Sequence, residues 1–98
     1  MATKDSPPLH PGEVLLEEFL KPLGISQNKL ALNLHVAHQR INEIIHGKRR
    51  ITADTALQLS IALGTSPDYW LGLQKDYDLE TTLDELGDRL KTEVTPLR

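Results

Sequence analysis

The side chains with the greatest capacity for specific hydrogen bonding lie in one short stretch near the middle of the 98-residue chain. Positions 37–43 read Ala37, His38, Gln39, Arg40, Ile41, Asn42 and Glu43. Glutamine and asparagine can pair with adenine through two hydrogen bonds, and arginine can do so with guanine. A helix that is apolar on one face and carries these groups at its N-terminal end suits the major groove of double-stranded DNA.

Three consecutive cations, Lys48, Arg49 and Arg50, follow this polar stretch. A run of charge is often only solvated, but its position just after a candidate DNA-reading helix favours contact with phosphates. Residues 26–50 contain five basic residues and one acidic residue, a net charge of +4, although the whole chain carries −3. Residues 51–98 contain nine acids and four bases, a net charge of −5. A basic middle and an acidic tail indicate two different partners.

A helix-turn-helix would position these side chains. The second predicted helix begins after Ser26 as N-cap and runs to Leu34, and a turn over residues 35–37 leads to a third that ends at Gly47. Ala31 is small enough for a close crossing of the two helices, and Val36 can be buried in the turn. Isoleucines at positions 41, 44 and 45 provide the apolar inner face.

The remaining sequence also predicts helices, and no segment shows the alternation of a strand. A first helix begins at Pro11 and ends near Pro22 and Gly24, a fourth runs from Thr52 to Leu63, and a fifth has Ser66 as N-cap. A sixth is predicted from Asp78, with an apolar stripe at Leu79, Leu83, Leu86 and Leu90.

The fold is therefore expected to be all-α, with a flexible arm over residues 1–10, a five-helix domain over 11–75 and an acidic amphipathic helix and tail over 76–98. Trp70 could line a ligand site, but we expect it to be a packing anchor between the fourth and fifth helices.

Several classes of function are disfavoured. The chain has no cysteine, and His35, His38 and His46 lack the i, i+4 spacing of a helical metal site, so we expect neither a metal nor a cofactor. No phosphate-cradling glycine loop or persuasive catalytic triad is present, so an enzyme is not expected. With no secretory signal and no apolar run of about 18 residues, a cytoplasmic protein is the expectation.

A family resemblance extends these inferences. The stretch SQNKLALNLHVAHQRINEIIHGKRRI resembles the lambda-repressor-like helix-turn-helix family, of the Cro/C1 or xenobiotic-response-element (XRE) class. The flanking stretches HPGEVLLEEFLKPLGIS and ITADTALQLSIALGTSPDYWLGLQKDYDLE resemble HigA antitoxins, most specifically from Gly64 to Leu79. The resemblance implies a five-helix DNA-binding fold, a homodimer, binding to operator DNA and a RelE-like toxin partner.

The resemblance also assigns roles to individual residues. Gln27 matches a position that meets a phosphate, whereas His38 and Gln39 match base-reading positions; the alternative in each case is a solvated side chain. Arg40 and Asn42 are expected to make phosphate or flanking contacts. Glu43 could accept a hydrogen bond from cytosine or could lie clear of the phosphates.

Two positions depart from many members of the family. His35 stands where glycine is common, so a left-handed conformation is costlier there. Ala37 stands where serine or threonine is common, so the third helix lacks a side-chain cap.

The favoured function is an antitoxin that represses its own operon and neutralises a HigB-type mRNA-cleaving toxin. A stand-alone helix-turn-helix transcriptional regulator without a toxin partner is the alternative. A scaffold that no longer binds DNA is disfavoured, because Gln39 and Arg49 remain within a segment of net charge +4. The acidic C-terminal helix and the N-terminal arm are both possible toxin surfaces.

Overall fold

The computed structural model describes residues 8–98, and this part of the chain is all-α, as predicted. Five helices follow one another: α1 over residues 11–23, α2 at Gln27–Leu34, α3 at His38–Ile45, α4 at Ala53–Leu63 and α5 at Pro67–Glu93. Most of the predicted arm, residues 1–7, lies outside the described residues. Residues 8–10 lie before the first helix and are not helical.

Helix α1 begins at Pro11, where the fixed φ of proline suits a first helical position. The His10 side chain caps it, because Nδ1 accepts a hydrogen bond of 2.9 Å from the Gly12 N–H. The middle of the helix, Leu15–Leu20, widens into a π-helix. A proline follows at position 22, and its ring would clash with the carbonyl four residues earlier in a regular α-helix. The helix ends at Gly24, which is left-handed with φ of 65°.

The other helix ends also follow local sequence signals. Ser26 Oγ accepts from the Lys29 N–H at 3.0 Å, and Ser66 Oγ accepts from the Tyr69 N–H at 3.1 Å. Gly64 ends α4 in the left-handed conformation. The predicted N-caps and C-terminal glycines are therefore confirmed at these positions.

The predicted start of a separate helix at Asp78 is wrong. Helix α5 continues without a break from Pro67 to Glu93, so the expected boundary after residue 75 falls inside it. Asp78 does not cap a helix; its Oδ1 accepts from Gln74 Nε2 one turn earlier at 3.0 Å. The segment contains no proline after Pro67, and nothing local interrupts the helix.

The core is built from leucine, isoleucine, valine and alanine around one tryptophan. Trp70 is fully buried, and its ring centroid lies 5.3 Å from that of Phe19. Its Nε1 donates to Thr65 Oγ1 at 2.7 Å, across the junction of α4 and α5. The prediction that Trp70 is a packing anchor is confirmed.

The start of α1 lies against the end of α3. A Cβ atom added to Gly12 would lie 1.8 Å from the carbonyl oxygen of Ile44 and 2.9 Å from the Cα of Ile45. No side chain can occupy that space. The glycine therefore sets how closely α1 approaches α3, and with it the position of the polar helix.

Candidate nucleic-acid interface

Helix α3 divides its two faces as the sequence predicts. Ile41, Ile44 and Ile45 are buried in the core. His38 and Gln39 are exposed, whereas Asn42 and Glu43 are partly buried. The polar face of the helix is thus open to a partner along its first two turns.

The turn before α3 holds it against α2. His35 has φ of 58° and ψ of 43°, and it is the one non-glycine residue with positive φ among residues 8–98. The Val36 N–H donates to the Ala31 carbonyl at 3.0 Å, and Ala31 itself is buried. Ala37 precedes α3 without a side-chain cap. The helix-turn-helix and both of its departures from the common family pattern take the form expected from the sequence.

Gln27 and Asn42 meet across the two helices. Asn42 Nδ2 donates to Gln27 Oε1 at 3.2 Å, so the first turn of α2 is joined to the middle of α3. Each amide keeps its other polar atom for a further hydrogen bond. Lys29 is also exposed in this same turn of α2, and the predicted contact residues did not include it. Its position beside Gln27 in a basic segment was the available signal.

Glu43 links Gln39 to Arg49. Its Oε1 lies 3.0 Å from Arg49 Nε and 2.9 Å from Arg49 Nη2, and its Oε2 accepts from Gln39 Nε2 at 3.4 Å. These three residues line a shallow depression together with the His35–Val36 turn. Both oxygens of Glu43 therefore hold neighbouring side chains of the same polar surface.

The other two predicted arginines are also paired. Arg40 Nη2 donates to Thr55 Oγ1 at 2.9 Å and to Asp54 Oδ2 at 3.2 Å, which ties α3 to the start of α4. Hydrogen bonds from Thr52 and then from Arg40 hold the pKa of Asp54 below its ordinary value. Arg50 Nη2 donates to Asp78 Oδ2 at 2.9 Å, on α5.

Two lysines near these arginines have no carboxylate partner within residues 8–98. Lys29 and Lys48 are exposed, and no carboxylate of residues 8–98 forms an ion pair with either. The polar surface therefore presents free ammonium groups beside guanidinium groups that carboxylates hold in place.

Two other kinds of site are absent from the same part of the chain. Within residues 8–98, no three histidine, aspartate or glutamate side chains are placed to hold a metal ion. No helix in that range is both long and apolar enough to cross a bilayer. The arrangement around α3 instead offers base-pairing amides and cations on one surface.

Comparison with known proteins identifies the family. A helix-turn-helix family model matches residues 16–70. The chain is 51% identical over 76 residues to virulence-associated protein I of Dichelobacter nodosus, covering 78% of this chain and 70% of that protein. It is 44% identical to an addiction module antidote protein of the HigA family from Coxiella burnetii, with a TM-score of 0.87 over 93% of this chain and 99% of that one. It is 38% identical to the Pseudomonas aeruginosa antitoxin HigA, solved with higBA promoter DNA, with a TM-score of 0.89 over 93% and 99% of the two chains. The chain therefore belongs to the HigA-type antitoxins of the helix-turn-helix family.

Proposed function

We propose that the chain binds the operator upstream of its own gene through α3 and represses that operon. The observation that carries this proposal is the open polar face of α3, with His38 and Gln39 exposed next to the cations of residues 48–50. The P. aeruginosa relative was solved with promoter DNA, which supports promoter binding by this chain.

The contacts divide between base reading and phosphate binding. His38 and Gln39 read base edges, because they are the exposed side chains at the N-terminal end of α3. The small side chain of Ala37 leaves that end unobstructed. The contacts with the DNA phosphates come from the remaining predicted polar residues, namely Gln27, Arg40, Asn42, Lys48, Arg49 and Arg50. Glu43 orients Gln39 and Arg49, because its two oxygens accept hydrogen bonds from these two side chains.

Operator binding is tested by fluorescence anisotropy with the duplex upstream of the gene and with a shuffled duplex of equal length. We expect specific binding about 10³-fold or more tighter than binding to the shuffled duplex. Equal affinities for the two duplexes would refute sequence-specific recognition.

We also propose that the chain acts as a homodimer. Two copies would place their α3 helices about 34 Å apart, one turn of B-DNA, so the operator should be a palindrome with half-sites roughly 10–11 bp apart. A protected footprint without a repeat would argue against this arrangement, as would a monomer in sedimentation at micromolar concentration.

The distal half of α5 is the surface that we propose for a RelE-like toxin. Leu79, Leu83 and Leu90 are exposed, with 62%, 63% and 40% of their surface accessible. Their spacing places them along one side of the helix. Residues 76–93 also contain seven acids and two bases, a net charge of −5, which would attract a basic toxin. An apolar stripe within an acidic helix thus offers both contact area and attraction.

Truncation after Leu79 tests the toxin surface. The shortened chain keeps Trp70 and Gln74, the two large buried side chains of α5, so it should fold. We expect its affinity for purified toxin to fall in isothermal titration while it still dimerises and binds operator.

Equal toxin affinities for the full-length and truncated chains would place the toxin elsewhere, on the N-terminal arm and α1. Loss of the dimer in sedimentation would instead assign the leucine stripe to the dimer interface. If no small basic protein is encoded beside the gene, the stand-alone regulator becomes the better hypothesis.

A further inference from the structure

A buried glutamine in the middle of α5 joins that helix to the segment that carries the cations. Gln74 is 3% exposed. Its Oε1 accepts a hydrogen bond of 2.7 Å from the Ile51 N–H, and its Nε2 donates to Asp78 Oδ1 at 3.0 Å. A glutamine is seldom buried unless its amide is satisfied, and here both ends of the amide have partners.

The segment between α3 and α4 contains no helix or strand, yet it is attached at both ends. At its start, the Lys48 N–H donates to the Glu43 carbonyl at 2.8 Å. At its end, Ile51 is buried, and its N–H is held by Gln74. The three cations at positions 48–50 lie between these two attachments.

Asp78 connects Gln74 to a side chain of the same segment. Its Oδ1 accepts from Gln74, and its Oδ2 accepts from Arg50 Nη2 at 2.9 Å. The hydrogen bonds thus run from the Ile51 backbone through Gln74 and Asp78 to the Arg50 side chain. One buried amide therefore governs both the backbone and a side chain of the cationic segment.

We propose that Gln74 is a positioning residue for DNA binding, which fixes residues 48–50 where they can meet phosphates. The inference rests on the proposed operator binding. Without the Gln74 carbonyl, the buried Ile51 N–H would lose its acceptor, and the segment would have to shift to satisfy it. Phosphate contacts depend on cations held in register, so such a shift weakens DNA binding although Gln74 itself touches no DNA.

The test compares Gln74→Met with the wild type, as full-length proteins, in anisotropy with the upstream duplex between about 50 and 200 mM salt. Methionine keeps the length of the side chain and removes both hydrogen bonds. We expect at least about tenfold weaker operator binding at low salt. We also expect the slope of log K against log salt to flatten by about one to two units, because each phosphate that the protein no longer neutralises reduces the slope by about 0.9.

Thr65→Val is the matched destabilising control. It removes the hydrogen bond from Trp70 Nε1, at the junction of α4 and α5, and leaves the cationic segment unchanged. Both variants should melt at a lower temperature than the wild type. At a temperature where both are folded, Thr65→Val should keep the wild-type salt slope. An equal flattening in both variants would show general loss of stability and overturn the proposal.

Asp78→Asn separates the two halves of the network. Asparagine still offers an oxygen to Gln74 Nε2 but removes the negative charge beside Arg50, so operator binding should be unchanged or tighter, without a flatter slope. Wild-type binding and slope in Gln74→Met would overturn the proposal.

Amide hydrogen exchange tests the hydrogen bond between the Ile51 N–H and Gln74 in the absence of DNA. Exchange at Ile51 should accelerate in Gln74→Met and remain slow in Asp78→Asn. A wild type that does not bind the duplex would refute the proposed function, whereas unchanged exchange at Ile51 in Gln74→Met would refute the positioning role.

Discussion

Substitution of Gly12 by alanine tests how the helix-turn-helix is held. The added Cβ would lie 1.8 Å from the Ile44 carbonyl oxygen, 2.6 Å from the Ile44 carbonyl carbon and 2.9 Å from the Ile45 Cα. All three are backbone atoms, so no rotamer change can make room. Restoring a separation near 3.5 Å requires α1 and the end of α3 to move apart by more than about 1 Å.

The cost follows from the kind of atom that must move. Overpacking against flexible side chains typically costs about 1–3 kcal/mol. A clash with a helix backbone should lie at the top of that range or above it, even after the gain of about 1 kcal/mol for alanine over glycine within a helix. A destabilisation of about 3 kcal/mol is a large part of the 5–15 kcal/mol that holds a typical domain. It corresponds to a fall in Tm of at least about 12 °C for a domain of this size.

Gly72→Ala provides the matched control. Gly72 also lies within a helix, but a Cβ there would meet nothing within 4 Å, so alanine should be neutral or stabilise by about 1 kcal/mol. Thermal unfolding followed by circular dichroism compares the two variants, and anisotropy with the upstream duplex reports the displacement of α3. If Gly12→Ala melted within about 2 °C of Gly72→Ala and bound DNA equally well, the close approach of α1 and α3 would not be what positions α3.

Three further predictions concern the DNA surface and pH. Gln39→Ala should cost about 1–3 kcal/mol on the operator and relax preference at one base pair per half-site in a binding-selection assay. Arg49→Ala should weaken binding to all duplexes alike and flatten the salt slope by about one unit. Burial lowers the pKa of His10, against the opposing effects of Asp78 and Glu13. Its contribution to stability is thus complete above about pH 6.5 and is lost as the pH falls through the lower folded-state pKa; His10→Gln should remove this part of the pH dependence of Tm.

The sequence predicts well those features that depend on a few neighbouring residues. Ser26 and Ser66 cap their helices as expected, and Gly64 ends α4, because the chemistry of a cap lies within one turn. The left-handed His35 was expected from the family resemblance, in which glycine is common at this position. Most residues of the candidate surface were also named from the sequence and the family resemblance, although Lys29 was not.

Several features that depend on distant residues were not predicted. Asp78 has the chemistry of an N-cap, but in the fold its carboxylate is occupied by Gln74 and Arg50, the latter 28 residues away. Gly12 gives no local sign of its approach to α3, since nothing near it in sequence requires a glycine. The partner of each arginine likewise depends on how the helices pack.

Because of these arginine pairs, the +4 charge of residues 26–50 overstates how many free cations this segment presents. Arg40, Arg49 and Arg50 each have a carboxylate partner, so we expect the long-range attraction of this surface for DNA to depend mainly on Lys29 and Lys48. The three pairs are at least partly exposed, and an exposed pair is typically worth about 0–1 kcal/mol, so a DNA phosphate can compete for the same guanidinium. The carboxylates therefore fix the direction of the arginines at little cost in affinity. We therefore propose that the lysines govern the approach to DNA and that the arginines set the register of the bound complex.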